Sequence, residues 1–320
     1  MAGKEYEVGT EEYRQALQKE SDYWGEEIIK AVEVGIPFSA DMRRAEKIRV
    51  NRGEGLPQQQ VYDPRAESIM NGALYKYIFD TIARHKSPAK IIVLTCGPGN
   101  ICLELARLGH EVRGIDISER AIKVALHFAE ENPFRETFGS LTYDVADLNT
   151  IDFEPDSIDV VLAWDGLHHI LLLERLLKQV KQTLKPDGLF IFSENIGMQL
   201  RSRIAGGLLY LLLPTHVSYI TKARYAFGGE KKIKSEMAAR SPFEEMHTDI
   251  IMDMARRYFR IVEKKYHTGI GYRAAIAGDM RCPGLLKYPF LRALKAFDDW
   301  AVKWGFLKGD HILVLARARK

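Results

Sequence analysis

Residues Lys90–Asn100, KIIVLTCGPGN, decide the fold of this chain. The first six residues form a short apolar run of the kind that a fully buried parallel strand shows. Gly97 and Gly99 follow at once, and the next residues, ICLELARLGH, have the apolar spacing of an amphipathic helix. Glycine lets the backbone turn sharply and approach a ligand closely, because it has no Cβ. Strand, glycine turn and helix therefore predict the first unit of a parallel sheet with a ligand at the turn.

The same alternation of elements continues along the chain. Strands alternating with helices predict an α/β fold, in which a parallel sheet carries helices on both faces and right-handed crossovers. Strands are expected at residues 90–95, 111–118, 140–148, 157–165, 188–195, 259–266 and 311–318. Helices are expected at residues 11–49, 66–85, 101–110, 119–131, 171–184, 247–258 and 288–304.

The chain is expected to divide into four parts. Residues 1–86 would form an N-terminal helical segment that acts as a lid, broken by the polar stretch NRGEGLPQQQ. Residues 87–195 would form the ligand-binding core and 196–245 a cap insertion. Residues 246–320 would complete the core around a second insertion at 267–310. The first insertion follows the carboxyl end of a parallel strand, so it is expected over the edge of the sheet where a ligand binds.

Composition excludes several classes of protein. With 320 residues, 46% hydrophobic and 28% charged, the chain is unlike a disordered, collagen-like or disulfide-scaffold protein. A net charge of +3 is too mild for a nucleic-acid binder, so no nucleic-acid partner is expected. Three cysteines without metal spacing and a polar N-terminus without an apolar signal core predict a cytoplasmic protein. The apolar run at residues 204–214 is shorter than the roughly 18 residues needed to span a bilayer.

Two acids near the ends of the next two strands are candidates for binding an adenosine group. Asp116 can accept both hydroxyls of a ribose, or it can cap the next helix, a role that Ser118 could fill instead. Asp147 can bind an adenine amino group while the Leu148 N–H meets a ring nitrogen. A dinucleotide fingerprint needs a third glycine where Cys102 stands, which disfavours a nicotinamide cofactor.

From Lys90 to Asn195 the sequence resembles the class I S-adenosylmethionine-dependent methyltransferases. Gly97 and Gly99 match the later glycines of that family's loop, whereas Val93 replaces its usual acid and Thr95 its first glycine. The stretch LAWDGLHH, residues 162–169, matches the segment beside the methionyl group. The resemblance implies a Rossmann-like, doubly wound seven-stranded sheet whose last strand is antiparallel.

The resemblance also implies a set of site residues and the cofactor S-adenosyl-L-methionine. No metal is expected, because the histidine pair lacks partners at ligand spacing. Trp164 and Tyr62 are aromatic candidates for packing on the cofactor, and core packing is the alternative for both. The cofactor-binding residues implied are Thr95, Cys96, Gly97, Gly99, Asn100, Asp116, Ile117, Asp147, Leu148 and Trp164. Candidates for a general base are His168, His169 and Glu194. Hydrogen bonding to the backbone is the alternative role for the histidines, and hydrogen bonding to the substrate or a loop is the alternative for Glu194.

The expected activity is methyl transfer to a small or lipid-like acceptor, at oxygen or nitrogen. A non-catalytic binding module with this fold and a nicotinamide-dependent oxidoreductase stay open as alternatives. Residues 204–234 pair a leucine-rich run with basic residues, which fits either a buried cap helix or a peripheral membrane contact. The oligomeric state is left open.

Overall fold

The computed structural model describes residues 6–33, 63–132, 137–197, 199–215, 218–227, 240–243, 250–270 and 280–319. The strands are β1 Lys90–Leu94, β2 Glu111–Asp116, β3 Ser140–Val145, β4 Ile158–Trp164, β5 Leu184–Asn195, β6 Phe259–His267 and β7 His311–Ala318. The helices are α1 Glu11–Glu33, α2 Pro64–His85, α3 Asn100–Arg107, α4 Glu119–Glu130, α5 Leu173–Thr183, α6 Leu200–Leu212, α7 Tyr219–Phe227, α8 Ile251–Tyr258 and α9 Gly284–Lys303. A short 3-10 turn spans Leu167–His169.

The seven strands form one sheet in the order β3-β2-β1-β4-β5-β7-β6. Strands β1 to β5 pair in parallel, while β7 runs antiparallel to both β5 and β6. Strand order reverses between β1 and β4, which places a ligand crevice at the carboxyl ends of these strands. The predicted α/β fold with an antiparallel last strand is confirmed.

Alternate residues of the central strands build two separate cores. Ile92 and Leu94 face the cluster that includes helices α5 and α8, whereas Ile91 and Val93 face helices α2 and α3. Val93 is 1% exposed, and a carboxylate at this position would need buried partners. The apolar side chain therefore fits its layer, although an acid is usual there in the family that the sequence resembles.

Several predicted boundaries were wrong. Strand β5 begins at Leu184 instead of residue 188, because KPDG continues the strand across a register shift opposite β4. Strand β3 ends at Val145, three residues early, and the irregular stretch after β5 contains helices α6 and α7. The first helix is described from Glu11 to Glu33, and residues 34–62, which hold the rest of that predicted helix and Tyr62, lie outside the described residues. The division into four parts stays a prediction.

The start of α2 is tied to α9 by a buried ion pair. Asp63 caps α2 by accepting the backbone N–H groups of Arg65 and Ala66, and its other oxygen lies 2.7 Å from Nζ of Lys287. Both charged side chains are buried, so each depends on the other for compensation. Along the described ranges, no helix is long and apolar enough to span a bilayer.

Candidate functional site

The turn between β1 and α3 has left-handed backbone at three positions. Thr95, Gly97 and Gly99 have φ of 49°, 52° and 76°. A Cβ on Gly97 would meet nothing within 4 Å, so this glycine faces open space. A Cβ on Gly99 would instead collide with the hydroxyl of Tyr143 and with Cβ of Ala125, at 2.7 Å. One glycine therefore opens the site, whereas the other lets α3 pack against the sheet.

Asp116, at the end of β2, holds the glycine turn. Its Oδ2 accepts the Gly97 N–H and its Oδ1 accepts the Ser118 N–H, both at 2.8 Å. Ser118 caps α4, as the sequence indicated, so Asp116 is not needed as the cap. Burial raises the pKa of Asp116, and the two backbone N–H groups partly offset that rise. Each oxygen keeps further acceptor capacity for a ligand hydroxyl.

A cavity of about 380 Å³ opens beside this turn, within the size range of small-molecule sites. Helix α1 lies over the carboxyl ends of the strands and supplies one wall. The predicted residues that line it are Thr95, Gly97, Asp116, Ile117, Asp147, Leu148 and His169. Residues that the sequence interpretation missed are Leu17, Glu20, Trp24, Glu27, Ile28, Ala31, Pro98, Ala146, Asn149, Asp165, Gly166, Ile170 and Phe243.

Six of the predicted site residues do not line this cavity. Trp164 stacks on Tyr75 of α2, with ring centroids 5.1 Å apart, on the sheet face that α2 and α3 cover. Cys96 is buried, and burial, with a further contribution from Cys102, raises the pKa of its thiol. The others are Gly99 and Asn100, at the start of α3, and His168 and Glu194.

Asp147 lies in the cavity wall with a carboxylate that is already engaged. Its Oδ2 accepts the Tyr13 hydroxyl at 2.7 Å, and its Oδ1 accepts the backbone N–H of Asn149 at 2.8 Å. Burial and Asp147 raise the pKa of Tyr13, so the phenol stays protonated as a donor. An adenine amino group would share this carboxylate with Tyr13, a partner from α1 that local sequence patterns do not show.

His169 joins the 3-10 turn after β4 to α1. Its Nδ1 lies 2.9 Å from Oε1 of Glu20, and its ring lies edge-on to Trp24 at 5.4 Å. Burial pushes the pKa of Glu20 upward, but His169 together with Ser241 and the Phe243 N–H outweighs burial and lowers it. The contact between His169 and Glu20 therefore holds α1 against the core beside the cavity.

Glu194 is fully buried and holds the loop after β4. Its Oε1 accepts the backbone N–H groups of Gly166 and Leu167 at 3.0 and 2.6 Å, and its Oε2 lies 2.7 Å from Nδ1 of His168. These partners occupy both carboxylate oxygens. The geometry favours the alternative role considered for Glu194, hydrogen bonding to a loop, over that of a general base.

Comparisons with known proteins agree with this fold. Residues 93–192 match a family model described as a methyltransferase domain. A ubiquinone biosynthesis O-methyltransferase from Mesorhizobium japonicum is 29% identical over 147 residues, which cover 46% of this chain and 55% of the relative. The mitochondrial ubiquinone biosynthesis O-methyltransferase of Bos taurus is 32% identical over 167 residues, covering 47% and 44%. The chain thus spans about half the length of these relatives.

A solved structure shows the same fold at low sequence identity. A Galdieria sulphuraria protein described as a sarcosine dimethylglycine methyltransferase covers 79% of this chain and 87% of its own, with TM-score 0.50 and 12% identity. Residues 93–192 are thus similar to a methyltransferase domain, and the fold of the chain is shared with a solved methyltransferase structure.

The residues present fit S-adenosyl-L-methionine, the cofactor of the methyltransferases that this chain resembles. The open backbone at Gly97 and the acceptor capacity of Asp116 lie at the same cavity, as an adenosyl group with its ribose requires. Apolar side chains from Leu17, Ile28 and Ile170 supply the walls. Within the described ranges, no cluster of three His, Cys, Asp or Glu side chains could hold a metal ion.

Proposed function

We propose that this protein transfers the methyl group of S-adenosylmethionine to a hydroxyl oxygen of a small or lipid-like acceptor. The observation that carries the proposal is that the Gly97 backbone and the Asp116 carboxylate face one cavity beneath α1. The names of the curated relatives support oxygen over nitrogen and a lipid-like acceptor. Three free cysteines, two of them buried, are consistent with the cytoplasmic location that we also propose.

The bound cofactor would supply a methyl group already activated on a sulfonium. In this proposal Asp116 accepts the ribose hydroxyls, and Ile117 and Leu148 border the adenine. The loop from Thr95 to Pro98 would border the methionyl end. Positioning of reactants can contribute up to about 7–11 kcal/mol in ideal cases, so a site that mainly orients and excludes water is sufficient for much of the rate. Helix α1 would exclude water by covering the cavity.

Binding of S-adenosylhomocysteine, measured by calorimetry, tests the cofactor site. We expect Asp116→Ala to raise its dissociation constant at least about tenfold, near 1.4 kcal/mol. Asp144→Ala is a matched control, because Asp144 is a half-buried acid on the neighbouring strand β3, paired with Arg113. An unchanged constant in Asp116→Ala would show that the ribose site is elsewhere.

The same preparation separates the alternatives. Transfer of a labelled methyl group to any member of a panel of phenols and long-chain alcohols supports the enzyme. Binding of S-adenosylhomocysteine without transfer would favour a non-catalytic module. Binding of NADH in its place would favour an oxidoreductase, although Cys102, where that fingerprint has its third glycine, is fully buried against Tyr143 and Gly114.

We also propose that helix α6 contacts an anionic membrane surface. Leu200, Ile204, Leu208 and Leu212 recur every fourth residue, and each side chain is more than half exposed. Residues 199–227 contain no Asp or Glu. An exposed apolar stripe on an acid-free basic segment is complementary to an anionic lipid interface. The basic group expected nearby is only partly available, because Lys222 is buried and donates to the Leu213 carbonyl.

Sedimentation with vesicles tests this face. We expect the protein to pellet with phosphatidylglycerol vesicles at low salt and to stay in the supernatant with phosphatidylcholine vesicles. Leu208→Glu should abolish pelleting. Leu126→Glu, at an exposed leucine on α4, should leave pelleting unchanged. Retention of the wild-type protein in the supernatant with both lipids would refute the proposal.

A further inference from the structure

Three titratable side chains meet beside the cavity, at the sheet edge formed by the carboxyl ends of β4 and β5 and the amino end of β7. Asp165 follows β4, and its backbone N–H donates to the Ser193 carbonyl of β5 at 2.8 Å. His311 begins β7 and pairs with Asn195 at the end of β5. Asp310 precedes it. None of the three was among the candidates drawn from the sequence.

The position, backbone conformation and buried oxygen of Asp165 indicate a functional residue. It lines the cavity, and its backbone has a left-handed φ of 46°, which is strained for a residue other than glycine. Its Oδ1 is buried, and no described residue donates a hydrogen bond to it. Buried carboxylate oxygens are normally satisfied, so this one requires a functional explanation.

His311 lies behind this carboxylate, against its buried oxygen. Nε2 of His311 is 3.8 Å from Oδ1 of Asp165, and Nδ1 is 2.7 Å from Oδ1 of Asp310. The ring also stacks on His267 at the end of β6, 5.4 Å away. Asp310 fixes the orientation of the imidazole, so that its other nitrogen faces Asp165.

We propose that Asp165 accepts the proton of the acceptor hydroxyl, and that His311, held by Asp310, is a positioning residue that sets the proton affinity of Asp165. This inference rests on the proposed O-methylation. As the hydroxyl oxygen forms its bond to the methyl carbon, its O–H bond breaks and the proton passes to Asp165. The methyl–sulfur bond breaks with its electron pair left on sulfur, and water later takes the proton from Asp165.

The electrostatic surroundings suit a base near neutral pH. Burial raises the pKa of Asp165 to about 6, within the range where a general base is both ionised and basic. A charge on His311 would favour the ionised carboxylate, because opposite charges at this distance stabilise each other. The charged or titratable groups that act on Asp165 are His311, which lowers its pKa, Glu194, which raises it, His168, which lowers it, and Asp310, which raises it.

The test combines binding, turnover and titration of the carboxyl group. Asp165→Asn should bind S-adenosylhomocysteine within about twofold of the wild type and lose at least about 100-fold in kcat with catechol or hydroquinone as acceptor probe. His311→Gln should raise the midpoint of Asp165, followed by ¹³C NMR, by about one pH unit. Asp156→Asn is the matched control, because Asp156 is also left-handed but lies in an exposed loop.

The outcomes separate this inference from the proposed function. Failure of the wild-type protein to bind S-adenosylhomocysteine would refute the proposed function itself. If the wild type binds and methylates, but Asp165→Asn keeps its kcat or loses cofactor affinity tenfold, the carboxylate is not the proton acceptor. Should neither phenol be methylated, the titration decides, and a midpoint that His311→Gln leaves unmoved overturns the inference.

Discussion

Removal of Glu194 distinguishes a structural carboxylate from a catalytic one. Glu194 accepts hydrogen bonds from two backbone N–H groups, and its other oxygen contacts Nδ1 of His168. All three nitrogen–oxygen distances are within 3.0 Å, and the side chain is fully buried. Hydrogen bonds to charged groups are worth about 1.5–3 kcal/mol each. Their sum overstates the loss, because the loop relaxes and water enters. Loss of one partner of a buried charged network typically costs about 3–5 kcal/mol, which is our expectation for Glu194→Ala.

Urea unfolding, followed by tryptophan fluorescence, measures this loss. Glu194→Gln keeps one carbonyl oxygen for the loop N–H groups and should lose only about 1–2 kcal/mol, which keeps the test usable if the alanine variant does not fold. Glu154→Ala, at an exposed glutamate, should stay within about 0.5 kcal/mol of the wild type. If Glu194→Ala proves as stable as that control yet abolishes methyl transfer, Glu194 is a catalytic base and our interpretation is wrong.

Three further changes test the site and the fold. Asp165→Asn should be more stable than the wild type by about 1–2 kcal/mol at pH 7.5 and equal to it near pH 4. The pKa of Asp165 is raised from 3.8 to about 6, so the wild-type protein loses stability as the pH rises through that window, and partial exposure of the side chain reduces the effect. Equal melting temperatures at pH 7.5 would contradict this. Gly99→Ala should lower the free energy of unfolding in urea by about 1–3 kcal/mol. Gly97→Ala, with open space at its Cβ, should lose less stability but more affinity for S-adenosylhomocysteine. The reverse order would refute the roles assigned to the two glycines. Lys287→Met should lose about 3–5 kcal/mol by leaving Asp63 buried without its partner, and a loss below about 1 kcal/mol would show that the pair is dispensable.

The sequence predicted the parts of the molecule that local patterns encode. Apolar runs of five to seven residues indicated the buried strands, and Gly97 and Gly99 indicated the turn after β1. Asp116 was found because it ends its strand and lies at the same sheet edge. These features depend on neighbours in the chain, where periodicity and turn chemistry are informative.

The parts that were missed depend on contacts between distant segments. Tyr13 meets Asp147 across 134 positions, and Glu20 meets Ser241 across 221. The spacing of Tyr13, Leu17, Glu20 and Trp24 by three or four residues places them on one face of α1, but nothing local in the sequence shows what that face covers. Only the docking of α1 over the strand ends, a tertiary property, reveals the partners.

At position 165, the residue that would favour stability differs from the residue that would accept a proton. Asparagine tolerates a left-handed backbone as well as aspartate does, and it would remove the cost of a buried charge. A chain under pressure for stability alone has no reason to keep aspartate with φ of 46° and an unsatisfied Oδ1. Unfavourable local features are expected mainly at functional sites. Asp165 has two of them, a left-handed backbone and a buried oxygen without a hydrogen-bond donor, and it lies in the cavity wall beside His311. The substitution that should stabilise the fold is thus the one expected to stop proton transfer.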